Sequence, residues 1–307
     1  MYGFIKKAAL SVGFDACGIA RAEALDEDAR FLRQWLSEGK HGDMHYLARN
    51  FEKRTDPREL VPGCKSLVVT LLNYFPARQQ PESAPKLAKY AYPAVDYHTV
   101  IKTKLRELGQ VIVDKYGQDC LSGEHQHSFV DSAPVLERRW AERAGLGWIG
   151  KNTQLINPGF GSYCFIGVLM LNAEMEKYDK PAPNRCGSCT RCIDACPTSA
   201  LANASMDARR CLSYLTIESK NEIPGEFKTG FPNLFLGCDI CSDDCPWNRK
   251  KAQAHSHSEL RPVGQIFEWS EEDWLALEEE EFKTLFRHSA IKRAGFQKLK
   301  QNLKFKG

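Results

Sequence analysis

Two unbroken apolar runs stand out in the pattern of hydrophobic and polar positions. "KSLVVTLLNY" (65–74) and "YCFIGVLML" (163–171) are rich in β-branched side chains and predict buried strands. "QLINPGFGSYCFIGV" reads as a hairpin, with Asn157, Pro158, Gly159 and Gly161 at its turn. "SAPVLERRWAERAGLG" changes to a helical period. Leu136, Trp140 and Ala144 sit four apart on one face, Asp131 or Ser132 is placed to cap the start, Pro134 suits the first turn, and Gly145 and Gly147 end it. Near the C-terminus, Ser270 and Asp273 form a capping box ahead of the helical "WLALEEEEFKTLF".

The elements group into three stretches. Residues 1–177 form a mixed α/β unit, and a proline-rich linker, "KYDKPAPNR", opens a compact cysteine-rich stretch over 178–250. Residues 251–307 read as a helical C-terminal segment. There is no repeat of solenoid length. The first residues, "MYGFIKKAALSVGF", hold no apolar stretch of signal-peptide length and no twin arginine, and no run approaches the ~18 apolar residues of a membrane span. The expected location is the cytoplasm, where disulfides are rare, so the 12 cysteines read as metal ligands or free core thiols.

Eight of those cysteines lie between 186 and 245. "CGSCTRCIDACP" places Cys186, Cys189, Cys192 and Cys196 in the bacterial ferredoxin run, in which the fourth cysteine serves a second cluster. "CDICSDDCP" adds Cys238, Cys241 and Cys245 with a proline again behind the last, and Cys211 replaces the missing ligand. The expected allocation is Cys186, Cys189, Cys192 and Cys245 to one [4Fe-4S] cluster, and Cys196, Cys211, Cys238 and Cys241 to the other. Zinc is the competing metal, but its ribbons use separated cysteine pairs. The isolated Cys17, Cys64, Cys120 and Cys164 read as small buried residues.

Chemistry is harder to place in the first stretch. "GLGWIGKN" (145–152) nearly matches a P-loop, but Asn152 stands where the magnesium-binding hydroxyl belongs, and the segment follows a helix end. A glycine-rich backbone approaching another large cofactor is the better reading. His125 and His127 lie two apart and lack a third partner. Asp131 follows a short apolar segment at a strand-to-helix turn, as an N-cap or a projecting active-site acid. Net charge is only +3, yet residues 291–307 carry six Lys or Arg and no acid, fitting either a nucleic-acid contact or a solvated helix.

Taken together, "GFDACGIARAE", "RTDPRELVPGCKSLVVTLLNY", "YAYPAVDYHTVI", "VDSAPVLERRWAERAGLGWIGKNT", "GFGSYCFIG" and the two cysteine motifs resemble the epoxyqueuosine reductases, cobalamin-dependent iron–sulfur enzymes of tRNA queuosine synthesis. The resemblance implies an α+β fold: an N-terminal nitroreductase-like, cobalamin-binding domain, a bacterial-type two-cluster ferredoxin-like domain and a short helical C-terminus. It implies electron relay through two [4Fe-4S] clusters to cobalamin, and removal of the epoxide oxygen from epoxyqueuosine at the anticodon wobble position.

By the same resemblance Asp131 is the proton donor, and burial would raise its pKa and help it hold that proton. The implied cobalamin contacts are Arg54, Asp96, Tyr97, His98, Asp131, Arg138, Gly150, Lys151, Asn152, Gly161 and Ser162. Lys292, Arg293, Lys298 and Lys300 are the candidate tRNA contacts. The cluster of Cys196, Cys211, Cys238 and Cys241 is expected nearer the cobalt. A low-potential electron donor is required, and a monomer is expected. Many members continue into helical repeats beyond a segment like "SAIKRAGFQKLKQN", whereas this sequence stops at Gly307. The competing functions are a corrinoid reductive dehalogenase, a non-catalytic electron-transfer subunit and a zinc-stabilised RNA-binding module.

Overall fold

The computed structural model describes residues 1–121, 127–202 and 205–305. Ahead of the cysteine segment the described strands are β1 (Ala16–Arg21), β2 (Ser66–Asn73), β3 (Lys86–Leu87), β4 (Ser128–Phe129), β5 (Trp148–Ile149), β6 (Leu155–Ile156) and β7 (Cys164–Leu171). The main sheet has the order β1-β2-β7-β4 and is antiparallel throughout. The two apolar runs are its central pair, matched over eight residues from Ser66↔Leu171 to Asn73↔Cys164.

Every residue of β2 is buried, because helices cover both faces. Val68 and Leu72 pack with Ile5 and Ile101 from the helices Tyr2–Ser11 and Tyr97–Tyr116. Leu67, Val69 and Leu71 face the other way, onto Trp140 and Ala141 of the helix Glu137–Arg143. This is the period-two division of a strand between two cores. Gly18 allows the close approach of that helix end, since a Cβ there would lie 2.0 Å from the Ala144 carbonyl oxygen.

Two local expectations are corrected. The turn at 157–161 forms and is closed by paired hydrogen bonds between Asn157 and Gly161, but its flanks join different sheets. β6 pairs with β5, whereas β7 pairs with β2 and β4. The helix of the "SAPVLERR" segment starts only at Glu137, so neither Asp131 nor Ser132 caps it. The C-terminal capping box is present, although its helix ends at Ala276 and a second begins at Glu279.

A third core joins distant segments. Leu87 and Tyr92 pack with Phe235 and Leu236 and with Ile266, Trp274, Phe286 and Leu303 of the C-terminal segment. The strand Leu234–Leu236 runs parallel to β3. The C-terminal helices are thereby fastened beside the start of the Tyr97–Tyr116 helix. Among the described residues no helix is long and apolar enough to cross a membrane.

Candidate active site and cluster sites

A cavity of about 490 Å³ opens between the main sheet, the cysteine segment and the C-terminal segment, within the usual ~300–1,000 Å³ of small-molecule sites. Its aromatic wall is a stack in which Phe165 lies 4.1 Å from Tyr97 and 4.4 Å from Tyr74, centroid to centroid. Asp131 projects into it from the loop after β4. Its backbone adopts φ 54°, left-handed and unusual for a residue other than glycine. That conformation turns the carboxylate away from the following helix and towards the start of the Tyr97–Tyr116 helix. The Tyr97 hydroxyl donates to Asp131 Oδ2 at 2.7 Å, His98 Nε2 stands 3.3 Å from the same oxygen, and Arg293 Nη1 lies 3.8 Å away.

His98 is held from behind, its Nδ1 2.7 Å from Asp96 Oδ1, while Asp96 also accepts from the His98 backbone as the helix cap. Burial disfavours the imidazolium, but hydrogen bonds to Asp131 and Asp96 outweigh it, and the His98 pKa is pushed up to about 9. Burial also works against the Asp131 carboxylate, and His98 and Tyr97 again outweigh it, taking Asp131 down to about 2. This corrects the expectation of a raised Asp131 pKa: the proton rests on His98. Glu137, in contrast, is pushed up to about 8 by burial and by the charge of Asp131.

Of the residues implied as cofactor contacts, Asp96, Tyr97, His98, Asp131, Arg138, Asn152 and Ser162 line this cavity. Arg54, Gly150, Lys151 and Gly161 are not in its lining. Arg54 is buried and donates to the Tyr46 carbonyl at 3.3 Å. Gly150 packs against Ile156 and Gly161 against Asn248. Lys151 turns to the cysteine segment and donates to the carbonyls of Gly187 at 2.8 Å and Cys189 at 3.0 Å. Sequence reasoning missed Glu137 and Glu218 on the wall, although Glu137 belongs to the quoted "DSAPVLER". It also read Cys164 as a core thiol, whereas Cys164 reaches the cavity from the start of β7. His127 is bonded to the Met170 carbonyl at 3.0 Å, and His125 lies outside the described residues.

The cysteines separate into two sets. Cys186, Cys189, Cys192 and Cys245 surround a small cavity of about 150 Å³ beside Trp247 and Lys151. Cys196, Cys211, Cys238 and Cys241 line the large cavity. Among the described residues no three His, Cys, Asp or Glu side chains converge as a single-ion site requires.

The donor sets nevertheless suit the implied groups. Four thiols per set match the ligand count of a [4Fe-4S] cube. Trp148, fully buried and packed with Cys245 and Cys186, has an unpartnered Nε1–H, which a sulfur-rich cluster would satisfy. At the large cavity, Asn152 Nδ2 and Glu137 Oε1 are buried without partners. A flat cofactor edged with carboxamides offers both a donor and an acceptor to such groups.

The basic C-terminal residues also make contacts within the chain. Lys292 donates to the Arg287 carbonyl, Lys298 to that of Asn221 at 2.8 Å, and Lys300 to that of Trp274. Arg293 pairs with Glu218 at 3.1 Å and faces the cavity.

Comparison with known proteins agrees with this geometry. A family model described as "Epoxyqueuosine reductase QueG, DUF1730" matches residues 54–132, and a "4Fe-4S double cluster binding domain" matches 185–248. An epoxyqueuosine reductase of Leadbetterella byssophila is 46% identical over 301 residues, covering 98% of this chain and 96% of that protein. A crystal structure of epoxyqueuosine reductase with an epoxyqueuosine-modified tRNA-Tyr stem loop superposes with a TM-score of 0.85 at 32% identity, covering 98% of this chain and 79% of that one. A Bacillus subtilis structure, described as having its catalytic aspartate loop swung out of the active site, gives 0.84 at 31% identity, with the same coverage. The chain belongs to the epoxyqueuosine reductase family.

Proposed function

We propose that this chain reduces epoxyqueuosine to queuosine in tRNA, with Asp131 at the reacting oxygen and two iron–sulfur clusters feeding electrons to a cobalamin. The observation that carries this reading is one cavity with Asp131, Tyr97 and His98 on one wall and Cys196, Cys211, Cys238 and Cys241 on another. The reaction breaks both epoxide carbon–oxygen bonds, forms a carbon–carbon double bond and releases the oxygen as water. It consumes two electrons and two protons.

Cobalamin, when bound, supplies the low-potential cobalt centre for the two-electron reduction. Asp96, Tyr97, His98, Arg138, Asn152 and Ser162 are the residues placed to hold it and the substrate. The set of Cys196, Cys211, Cys238 and Cys241 holds the inner cluster. The set of Cys186, Cys189, Cys192 and Cys245 holds the outer one, beside the exposed residues of 183–190 where an electron donor can dock.

The chain's own contribution is proton management. Asp96 orients His98 so that Nε2 carries its proton towards Asp131. Tyr97, whose pKa burial raises, stays a hydrogen-bond donor and fixes Asp131 Oδ2. As the epoxide oxygen develops negative charge, protonated His98 passes its proton through Asp131 to that oxygen, a general-acid role, and the second proton of the released water is drawn from solvent.

Anaerobic purification with cobalamin tests the reading. About eight irons and one cobalt per chain are expected, and tRNA carrying epoxyqueuosine with a low-potential reductant should yield queuosine. Absence of bound cobalt after reconstitution, or of product with the fully loaded protein, rejects it.

A further inference from the structure

Neighbouring residues of "GLGWIGKN" are shared unequally between the two cavities. Asn152, 2% exposed, lines both, whereas Lys151 lines only the small one, with Cys186, Cys189, Cys192 and Cys245. The Lys151 ammonium donates to Gly187 O at 2.8 Å and Cys189 O at 3.0 Å, both within the loop that supplies three of those cysteines. Two of its three N–H groups are thus used, and one is left to aim into the cavity. Lys151 follows β5, which is paired to β6 and so belongs to the framework ahead of the linker. A positive charge is therefore held against the cysteine loop by a different part of the fold.

The other charges nearby are arranged differently. Arg185 lines the same cavity, but from the cysteine segment itself. Asp244 is engaged by Arg191 at 2.8 Å and by Arg249. Lys151 is the ammonium that the catalytic framework contributes, and its place is fixed by two carbonyls.

We propose that Lys151 sets the reduction potential of the outer iron–sulfur cluster, the one assigned to Cys186, Cys189, Cys192 and Cys245, and thereby its readiness to accept an electron from the donor. This rests on the two-cluster reading above. Cluster potentials respond to net charge, to hydrogen bonds at the sulfurs and to exposure. Reduction adds one negative charge, so a fixed cation beside the cluster favours the reduced form and raises the potential. Lys151 is a positioning and tuning residue, touching neither substrate nor reacting atoms.

The test is an EPR-monitored redox titration of the full-length, cluster-loaded protein without cobalamin or tRNA. In Lys151→Met, one of two cluster signals should titrate at a more negative potential, with at least a tenfold lower reduced-to-oxidised ratio at fixed potential, ~59 mV for one electron. The other signal should stay in place, and Lys151→Arg should restore the first. Unchanged potentials for both clusters in a variant retaining its iron overturn the proposal. If Lys151→Met fails to assemble the outer cluster, Lys151→Gln is titrated instead. It keeps a donor for the loop carbonyls and removes the charge, so an unmoved potential there also overturns it. Wild-type protein that binds no reducible clusters refutes the two-cluster reading itself, a separate outcome seen before any variant is made.

Discussion

His98 Nε2 lies 3.3 Å from Asp131 Oδ2, and the same imidazole has Asp96 Oδ1 2.7 Å from its Nδ1. The histidine is held between two carboxylates, and its pKa near 9 is the consequence. Turnover should be level across neutral pH and fall as pH rises through about 9, where His98 loses its proton. The stability gained from this protonation has the same sign: full below the ordinary histidine range near ~6.5, and lost as pH climbs through the folded value. Asp96→Asn removes one of the two carboxylates, so the alkaline limb should move down by ~1 unit. Rate–pH profiles of both proteins decide this. A limb that does not move means His98 is not the group titrating.

Asp131→Asn keeps the shape of the side chain and removes its capacity to pass a proton. A loss of ~10²–10⁴ in turnover is expected for a general acid. The visible spectrum of the loaded protein should not change, because the carboxylate is assigned to the substrate oxygen and not to cluster ligation. Normal turnover in this variant would leave Asp131 as a loop residue merely tied to Tyr97.

These assignments show which features are legible in sequence. The β2 and β7 runs are long and apolar enough to dictate burial in the sheet, and the ferredoxin spacing by itself divides the eight cysteines into two sets of four. The start of the helix after Asp131 was not legible. Local cap statistics favour "DSAP", but the φ of 54° and the Tyr97 bond come from packing against a helix that begins 34 residues earlier in the chain. Lys151 and Asn152 are adjacent in sequence, and that adjacency does not show that Asn152 lines both cavities while Lys151 lines only the small one. The C-terminal lysines are legible as a basic stretch, but charge alone does not show that they also donate to the carbonyls of Arg287, Asn221 and Trp274.

The cysteine partition predicts paired losses. Cys189→Ser and Cys245→Ser, far apart in sequence, should remove the same EPR signal and about four of eight irons. Cys196→Ser and Cys241→Ser should remove the other signal. If Cys196→Ser instead silences the signal lost in Cys189→Ser, the first run serves a single cluster and the allocation fails.

Gly161 shows how the turn at 157–161 is locked to the cysteine segment. It has φ 81°, and a Cβ there would lie 2.1 Å from Asn248 Oδ1. That oxygen accepts from the Ser162 backbone at 2.7 Å, while Asn248 Nδ2 donates to Ser162 Oγ and to the Ser242 carbonyl. Gly161→Ala therefore adds left-handed strain of ~1–2 kcal/mol and displaces a buried side chain whose lost partners cost a further ~1–3 kcal/mol. The denaturation midpoint should fall, and iron should be lost first from the set containing Cys245, three residues before Asn248. Asn248→Ala alone should also destabilise by losing the three bonds. With Gly161→Ala in place the asparagine is already displaced, so adding Asn248→Ala should cost much less than it does in the wild type. A double-mutant cycle measures that coupling. Strict additivity of the two substitutions would show that Gly161 is required for its backbone angle alone and not for the approach of Asn248.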